Sequence, residues 1–203
     1  NNAGYCRDRM IFNMDEDDFD GVVRVHLKGH FCTMRFATAY WRDRAKETGG
    51  PVYARLISTS SEAFIFGSAG QPNYAAAKAG IVAMTMGAAQ ALHKYGVLAN
   101  VIMPRARTAM TDQGITGEMF ARPADGFDTF APENVAPLVG YLASPAALRV
   151  SGYVMLVFGK TVTLLERPTL GESFESKEQW TVEDLSAKLE DYFEAREPGT
   201  DGF

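Results

Sequence analysis

Three short apolar runs, each set between segments of helical period, limit this chain to a small number of folds. They are VYARLIST (52–59), VLANVIMP (97–104) and GYVMLVFG (152–159). Each is bounded by Gly, Pro or polar clusters and is too short for a core helix, so each reads as a buried strand. The segments between them follow a different period. Asp15, with Asp18 three residues on and then Phe19, Val22, Val23 and Leu27, reads as a capped amphipathic helix running to Ala45, its acidic first turn suited to the helix dipole. A loop is expected from Ser60 to Pro72, then a helix rich in Ala and Met from Asn73 to Tyr95, with Gly96 as its stop. Residues Arg105 to Phe130 lose their period, as expected of a long loop covering a binding site. Pro132 then opens a helix through Leu142, and Thr181 caps a last one carrying Leu185, Leu189 and Phe193. Strands alternating with helices imply an α/β fold with a doubly wound parallel sheet. A single domain over 1–203 is expected, with 160–203 as an extension holding one helix.

The composition removes whole classes of function. With 203 residues and 46% hydrophobic content, the chain is able to bury one substantial core. A net charge of -5 and a pI near 5.3, with no basic stripe, argue against a nucleic-acid partner. There is no run of about 18 uninterrupted apolar residues and no basic-then-apolar start, so no membrane partner and a cytoplasmic location are expected. Cys6 and Cys32 lack metal-type spacing and read as ordinary thiols of a reducing compartment. His26 and His30 form an i,i+4 pair without the glutamate of HExxH or a third ligand, and DEDDFDG has Phe19 where a calcium ligand would stand. No metal site is expected. NNAGYCRDRM opens on a Gly-containing turn, as though a strand had just ended, and further residues are expected before Asn1.

The chemistry gathers where strands end. In an open parallel sheet, ligands bind beyond the carboxyl ends of the strands, and there the sequence places STSS, PRARTAMT and NNAG. QPNYAAAKAG then sets Tyr74 and Lys78 four positions apart, on one helix face, among alanines that leave space beside them. A free phenol, with a pKa of about 10, is a poor base at neutral pH, and a neighbouring ammonium favours its ionised form. Tyr74 is then suited to exchange a proton with an alcohol or carbonyl oxygen, with Ser61, thirteen residues earlier, holding that oxygen. Alcohol and carbonyl interconversion also needs a hydride carrier, which no side chain supplies.

NNAG, then Ser61, then YAAAK with Tyr74 and Lys78, then Pro104 and Thr108 after the next strand, resemble the short-chain dehydrogenases/reductases in order and spacing over roughly residues 1 to 160. The resemblance implies a Rossmann-like fold, NAD or NADP as cofactor, Tyr74 as acid/base, Lys78 on the nicotinamide ribose and Ser61 on the substrate oxygen. It also implies that Asn2, Ala3 and Gly4 line the adenosine side and that Pro104 and Thr108 border the nicotinamide, Thr108 holding its carboxamide. His26 stands where the family usually has an Asn whose carbonyl holds a water of the proton relay, so a His there keeps the backbone part alone. Arg105 replaces the usual Gly after Pro104. Both features are similar to the dehydrogenase part of peroxisomal multifunctional enzymes and their bacterial relatives, which act on (3R)-hydroxyacyl-CoA, including forms with steroid-derived tails. A 3-oxoacyl carrier-protein reductase and a non-catalytic scaffold are the alternatives. The family's first strand and phosphate loop would lie before Asn1, since no GxGxxG occurs in this sequence. Relatives form dimers or tetramers through two long helices, and the Ala-rich face of 75–92 suits a homodimer or homotetramer. Phe64, Phe66, Phe120, Phe127 and Phe130 are candidates for an apolar substrate wall, and Arg105 and Arg107 for either an acyl-CoA phosphate or surface ion pairs.

Overall fold

The computed structural model describes residues 1–111, 114–166 and 168–196. Asp15 caps α1 (Glu16–Val23), its carboxylate accepting from the Asp18 N–H at 2.7 Å. The helix does not continue straight on. Arg24–Lys28 opens into a π-turn before α2 (Gly29–Thr48), so the expected single helix is interrupted at His26 and ends at Thr48 rather than Ala45.

The sheet has the order β1-β2-β3-β4. Strands β1 (Ala54–Thr59), β2 (Val97–Pro104) and β3 (Val154–Phe158) are parallel, and β4 (Thr161–Leu164) returns antiparallel to β3. Strand β2 is central and buried along nearly its whole length. On one face Ala99, Val101 and Met103 pack with Met34 of α2 and with Val82 and Ala89 of α4 (Pro72–Leu92). On the other, Ile102, Met155 and Val157 meet Leu138 and Leu142 of α6 (Ala136–Ala143). Burial on both faces is why these strands read as continuous apolar runs rather than as alternation. The result is a Rossmann-like, doubly wound α/β layer structure. Strand β4 was not expected, because its four residues are all exposed and carry no burial pattern.

Helix α4 and the turn after it, Pro72–Tyr95, are long and apolar enough to cross a membrane by length and composition. Here the helix carries core: Ile81, Val82, Thr85, Ala89 and Leu92 are buried. Gly96 turns the chain into β2 at φ +85°, where a Cβ would lie 2.2 Å from the Val52 carbonyl oxygen, so no larger residue fits. The two expected loops each contain a short helix, α3 (Ala63–Phe66) and α5 (Gly114–Met119), too brief to show a period. The chain divides into two compact units, Asn1–Leu165 and Glu166–Phe203. In the second, Thr181 caps α7 (Val182–Glu194), and the Phe174 and Tyr192 rings meet edge-on at 5.0 Å.

Candidate active site

Strand β1 delivers its polar end to a fixed point. The Ser60 N–H donates to the Ile102 carbonyl at 2.8 Å and its hydroxyl to the Lys78 carbonyl at 3.0 Å, which ties the strand end to both β2 and α4. Ser61 follows, its hydroxyl accepting from the Ala63 N–H at 3.3 Å and lying close enough to the phenol of Tyr74, in the first turn of α4, to favour its ionised form. One turn on, the Lys78 ammonium sits 5.3 Å from the centre of the Tyr74 ring and donates to the Thr59 carbonyl at 2.8 Å. The three side chains therefore meet at the carboxyl end of β1. Ser61 and Tyr74 line a cavity of about 960 Å³, together with Gly4, Tyr5, Cys6, Pro104 and Phe120 among others. A second cleft, about 750 Å³ between α6 and the β3–β4 hairpin, contains none of the expected site residues.

The electrostatics differ from the expectation in one respect. Burial pushes the Tyr74 phenol up to about 12, against the pull of the Ser61 hydroxyl, with Cys6 and Asp8 adding to the rise. Burial also lowers Lys78, to about 8. The ammonium is turned to the Thr59 carbonyl, and its charge does not bring the phenol into the neutral range. Desolvation outweighs the neighbouring cation here, so at neutral pH Tyr74 is a proton donor.

His26 is 1% exposed and lies edge-on to Tyr74, with ring centres 5.0 Å apart. Its Nε2 is 2.8 Å from the Tyr5 carbonyl oxygen and 3.1 Å from the Tyr5 nitrogen, while its buried Nδ1 has no partner among the described residues. The shorter contact fits a proton on Nε2, leaving Nδ1 a bare acceptor. Burial holds the imidazole below its ordinary pKa, hence neutral. The carbonyl of His26, the part expected to serve a relay water, accepts from His30 Nδ1 at 2.7 Å and from the Gly29 N–H. His30 is neutral as well, its pKa lowered to about 4 chiefly by burial. A Cβ on Gly4 would fall 2.1 Å from His26 Cε1, so the first residues of the chain pack directly on this ring.

Asn73 was not anticipated from the sequence. It is fully buried beside Tyr74, and its amide donates to the Arg7 and Asp18 carbonyls at 3.0 Å each and accepts from the Tyr74 N–H at 2.7 Å. With Gln71, which donates to Asp8 at 2.9 Å, it holds segment 5–9 against α1 and α4. The available signal was a polar residue within the small, apolar run that opens α4. Cys6 lies in the cavity wall, where burial first and Asp8 second push its thiol to about 11, which leaves it unreactive.

The remaining expected residues divide between the cavity wall and the surface. Gly4 and Pro104 line the cavity, whereas Asn2 and Ala3 are exposed and off its lining. Thr108 is exposed in a turn, its N–H donating to the Thr111 hydroxyl at 2.8 Å, and it is Thr111 that reaches the wall. Arg105 pairs with Glu62, and Arg107 pairs with Asp128 and donates to the Phe120 carbonyl at 2.8 Å, so both belong to internal ion pairs. Of the five candidate phenylalanines Phe120 lines the cavity, backed by Phe130 at 4.6 Å; Phe64 packs in the core.

Residues 1–118 match the family model described as short chain dehydrogenase. The chain belongs to this family. It is 52% identical over 200 residues to the hydroxyacyl-CoA dehydrogenase ChsB1 of Mycobacterium tuberculosis, covering 98% of this chain and 63% of that protein. It is 33% identical over 204 residues to the peroxisomal multifunctional enzyme type 2 of Mus musculus, covering 98% of this chain and 26% of that one. The crystal structure of a short chain dehydrogenase from Mycobacterium avium superposes with a TM-score of 0.83 at 43% identity, covering 98% of this chain and 64% of that one. The chain thus spans a little under two thirds of the length of the first of these relatives.

Proposed function

We propose that the protein is an NAD- or NADP-dependent oxidoreductase that interconverts a 3-hydroxyacyl-CoA and the 3-oxoacyl-CoA. The observation that supports this most is that Ser61, Tyr74 and Lys78 gather at the carboxyl end of β1, with Ser61 and Tyr74 in the wall of one cavity and Lys78 buried behind the Tyr74 ring. The residues present fit the ribose end of a nicotinamide dinucleotide: among the described residues the Lys78 ammonium meets one acceptor, Thr59, which leaves donors for ribose hydroxyls. Such a dinucleotide supplies the hydride carrier that the side chains lack. In the reducing direction the carbonyl carbon would gain the hydride that the reduced dinucleotide gives up from its own C–H bond, leaving it oxidised, the C=O π electrons would move to oxygen, and that oxygen would take the proton from the Tyr74 hydroxyl. Ser61 orients the same oxygen, and the nearby Lys78 ammonium steadies the phenolate left behind. Arg105 and Arg107 are not assigned to the coenzyme A phosphates, because each is already paired with a carboxylate. The cavity, about 960 Å³, has room for an acyl thioester, its wall combining Phe120, Met110 and Pro104 with the charged Arg7, Asp8, Arg9 and Glu62.

Self-association belongs to the same proposal. Helix α2 exposes Phe36 and Tyr40, i,i+4 neighbours on one face, an apolar patch suited to a second copy and readable by light scattering. Activity is tested on the full-length protein with acetoacetyl-CoA, the matching carrier-protein thioester, NADH and NADPH. Faster consumption of reduced coenzyme with the CoA thioester supports the assignment. Preference for the carrier protein moves the substrate class to the acyl-carrier branch, and failure of either dinucleotide to bind, read by its fluorescence, overturns the redox function.

A further inference from the structure

We propose that the Glu62–Arg105 ion pair is a positioning element that fixes the Ser61 hydroxyl. The inference rests on the reading of Ser61 as the partner of Tyr74. Ser61 has one firmly held neighbour and one that needs holding. Before it, Ser60 is fastened to β2 and α4 by buried hydrogen bonds. After it the chain leaves the sheet for α3, whose backbone bonds are local: the Phe64 N–H to the Ser61 carbonyl at 3.4 Å and the Ile65 N–H to the Glu62 carbonyl at 2.9 Å. The Phe64 ring packs on the cluster of Val101 and Val154, and the Ser61 hydroxyl accepts from the Ala63 N–H at 3.3 Å, but the polar tie from this turn back to the sheet is the Glu62 carboxylate. It accepts from Nε of Arg105 and, at 2.6 Å, from Nη2, the two-pronged geometry that fixes both distance and direction.

The far end of the tie is itself immobile. The Arg105 N–H donates to the Val157 carbonyl at 3.0 Å, prolonging the β2–β3 ladder, and its guanidinium lies 4.9 Å from the Phe158 ring centre. The Phe158 ring in turn stacks on Phe130. The Glu62 side chain is 16% exposed and that of Arg105 32%, so water screens the pair only in part. The strand register places the partners: Thr59 pairs with Ile102, and Glu62 and Arg105 each lie three residues beyond those positions. The parallel ladder therefore ends in a side-chain rung, just past the serine. A glycine at 105 would supply no such rung.

The test uses the full-length protein and the variants Glu62→Ala, Arg105→Ala, the charge swap Glu62→Arg with Arg105→Glu, and Ser61→Ala as reference. One readout is the ¹³Cζ resonance of Tyr74 at neutral pH, assigned by its loss in Tyr74→Phe, which reports the phenol's hydrogen bonding whether or not a substrate is known. The other is kcat and KM with acetoacetyl-CoA and reduced coenzyme. Both single variants should move the Tyr74 resonance toward its position in Ser61→Ala. They should also lower kcat about tenfold or more with KM changed by no more than about twofold, and the swap should restore part of both. A resonance unmoved in the single variants but moved in Ser61→Ala overturns the proposal alone. A rise in KM at constant kcat overturns it as well, by making Arg105 a substrate contact. A resonance unmoved in Ser61→Ala overturns the proposal together with the pairing of Ser61 and Tyr74.

Discussion

Replacing Lys78 with Met separates the energetic burden of this site from its chemistry. Lys78 is 3% exposed, and burial lowers its pKa from 10.5 to about 8. Between those values the unfolded chain carries a proton here that the folded chain has released. Stability from this group therefore rises with pH across the window, is complete above 10.5 and is absent below 8. At about 1.4 kcal/mol for each tenfold difference in proton affinity, the full effect is roughly 3 kcal/mol. Methionine has similar length and no charge, so Lys78→Met removes that burden and also removes the charged hydrogen bond to the Thr59 carbonyl, which contributes about 1.5–3 kcal/mol. At pH 7 the two effects nearly cancel, so the variant should be about as stable as the wild type while losing its activity. Urea denaturation of both proteins from pH 7 to 10.5 should show the wild type gaining on the variant by roughly 3 kcal/mol. The phenol of Tyr74 titrates in both proteins and largely cancels in the difference, and the thiol of Cys6, which feels the Lys78 charge, is removed by making both measurements in a Cys6→Ser background. Stability curves that stay parallel across this range refute the buried-cation reasoning.

Asn73→Ala should cost roughly 2–4 kcal/mol by denaturant unfolding, because the Arg7 and Asp18 carbonyls lose their buried donor. Asn73→Asp should do no better, since its carboxylate still accepts from the Tyr74 N–H but faces two carbonyls; wild-type stability in this variant contradicts the clamp. Gly4→Ala should displace His26, whose Cε1 the new Cβ would approach to 2.1 Å, with a loss of about 1–3 kcal/mol and of turnover. An unchanged protein there shows that the ring has room to move.

The sheet was legible where burial made it so. Strands β1, β2 and β3 are covered on the core side of both faces or nearly so, and such strands write continuous apolar runs into the sequence. Strand β4 is exposed along its length, and its four residues resemble any surface segment. The π-turn at Arg24–Lys28 lies within a run whose apolar spacing is helical on either side, so nothing in the pattern marks the extra residue. Ser61, Tyr74 and Lys78 could be brought together from sequence because helix spacing and strand ends are local rules. The direction of the Tyr74 shift could not, since it depends on burial by residues remote in the chain, Cys6 and Asp8 among the groups that act on it. The Glu62–Arg105 pair needed the β1–β2 register, which no single strand carries. Thr108 was placed by resemblance, and the turn that joins its N–H to the Thr111 hydroxyl, with Thr111 in the cavity wall, left no mark in the sequence.

The most direct test is turnover by full-length Tyr74→Phe with reduced coenzyme and acetoacetyl-CoA, read beside dinucleotide binding by fluorescence. A neutral, half-buried phenol beside Ser61 is the proposed proton donor, so its removal should lower kcat by about a hundredfold or more while dinucleotide affinity stays within about threefold of the wild type. Turnover close to the wild-type rate in that variant contradicts proton transfer through this hydroxyl.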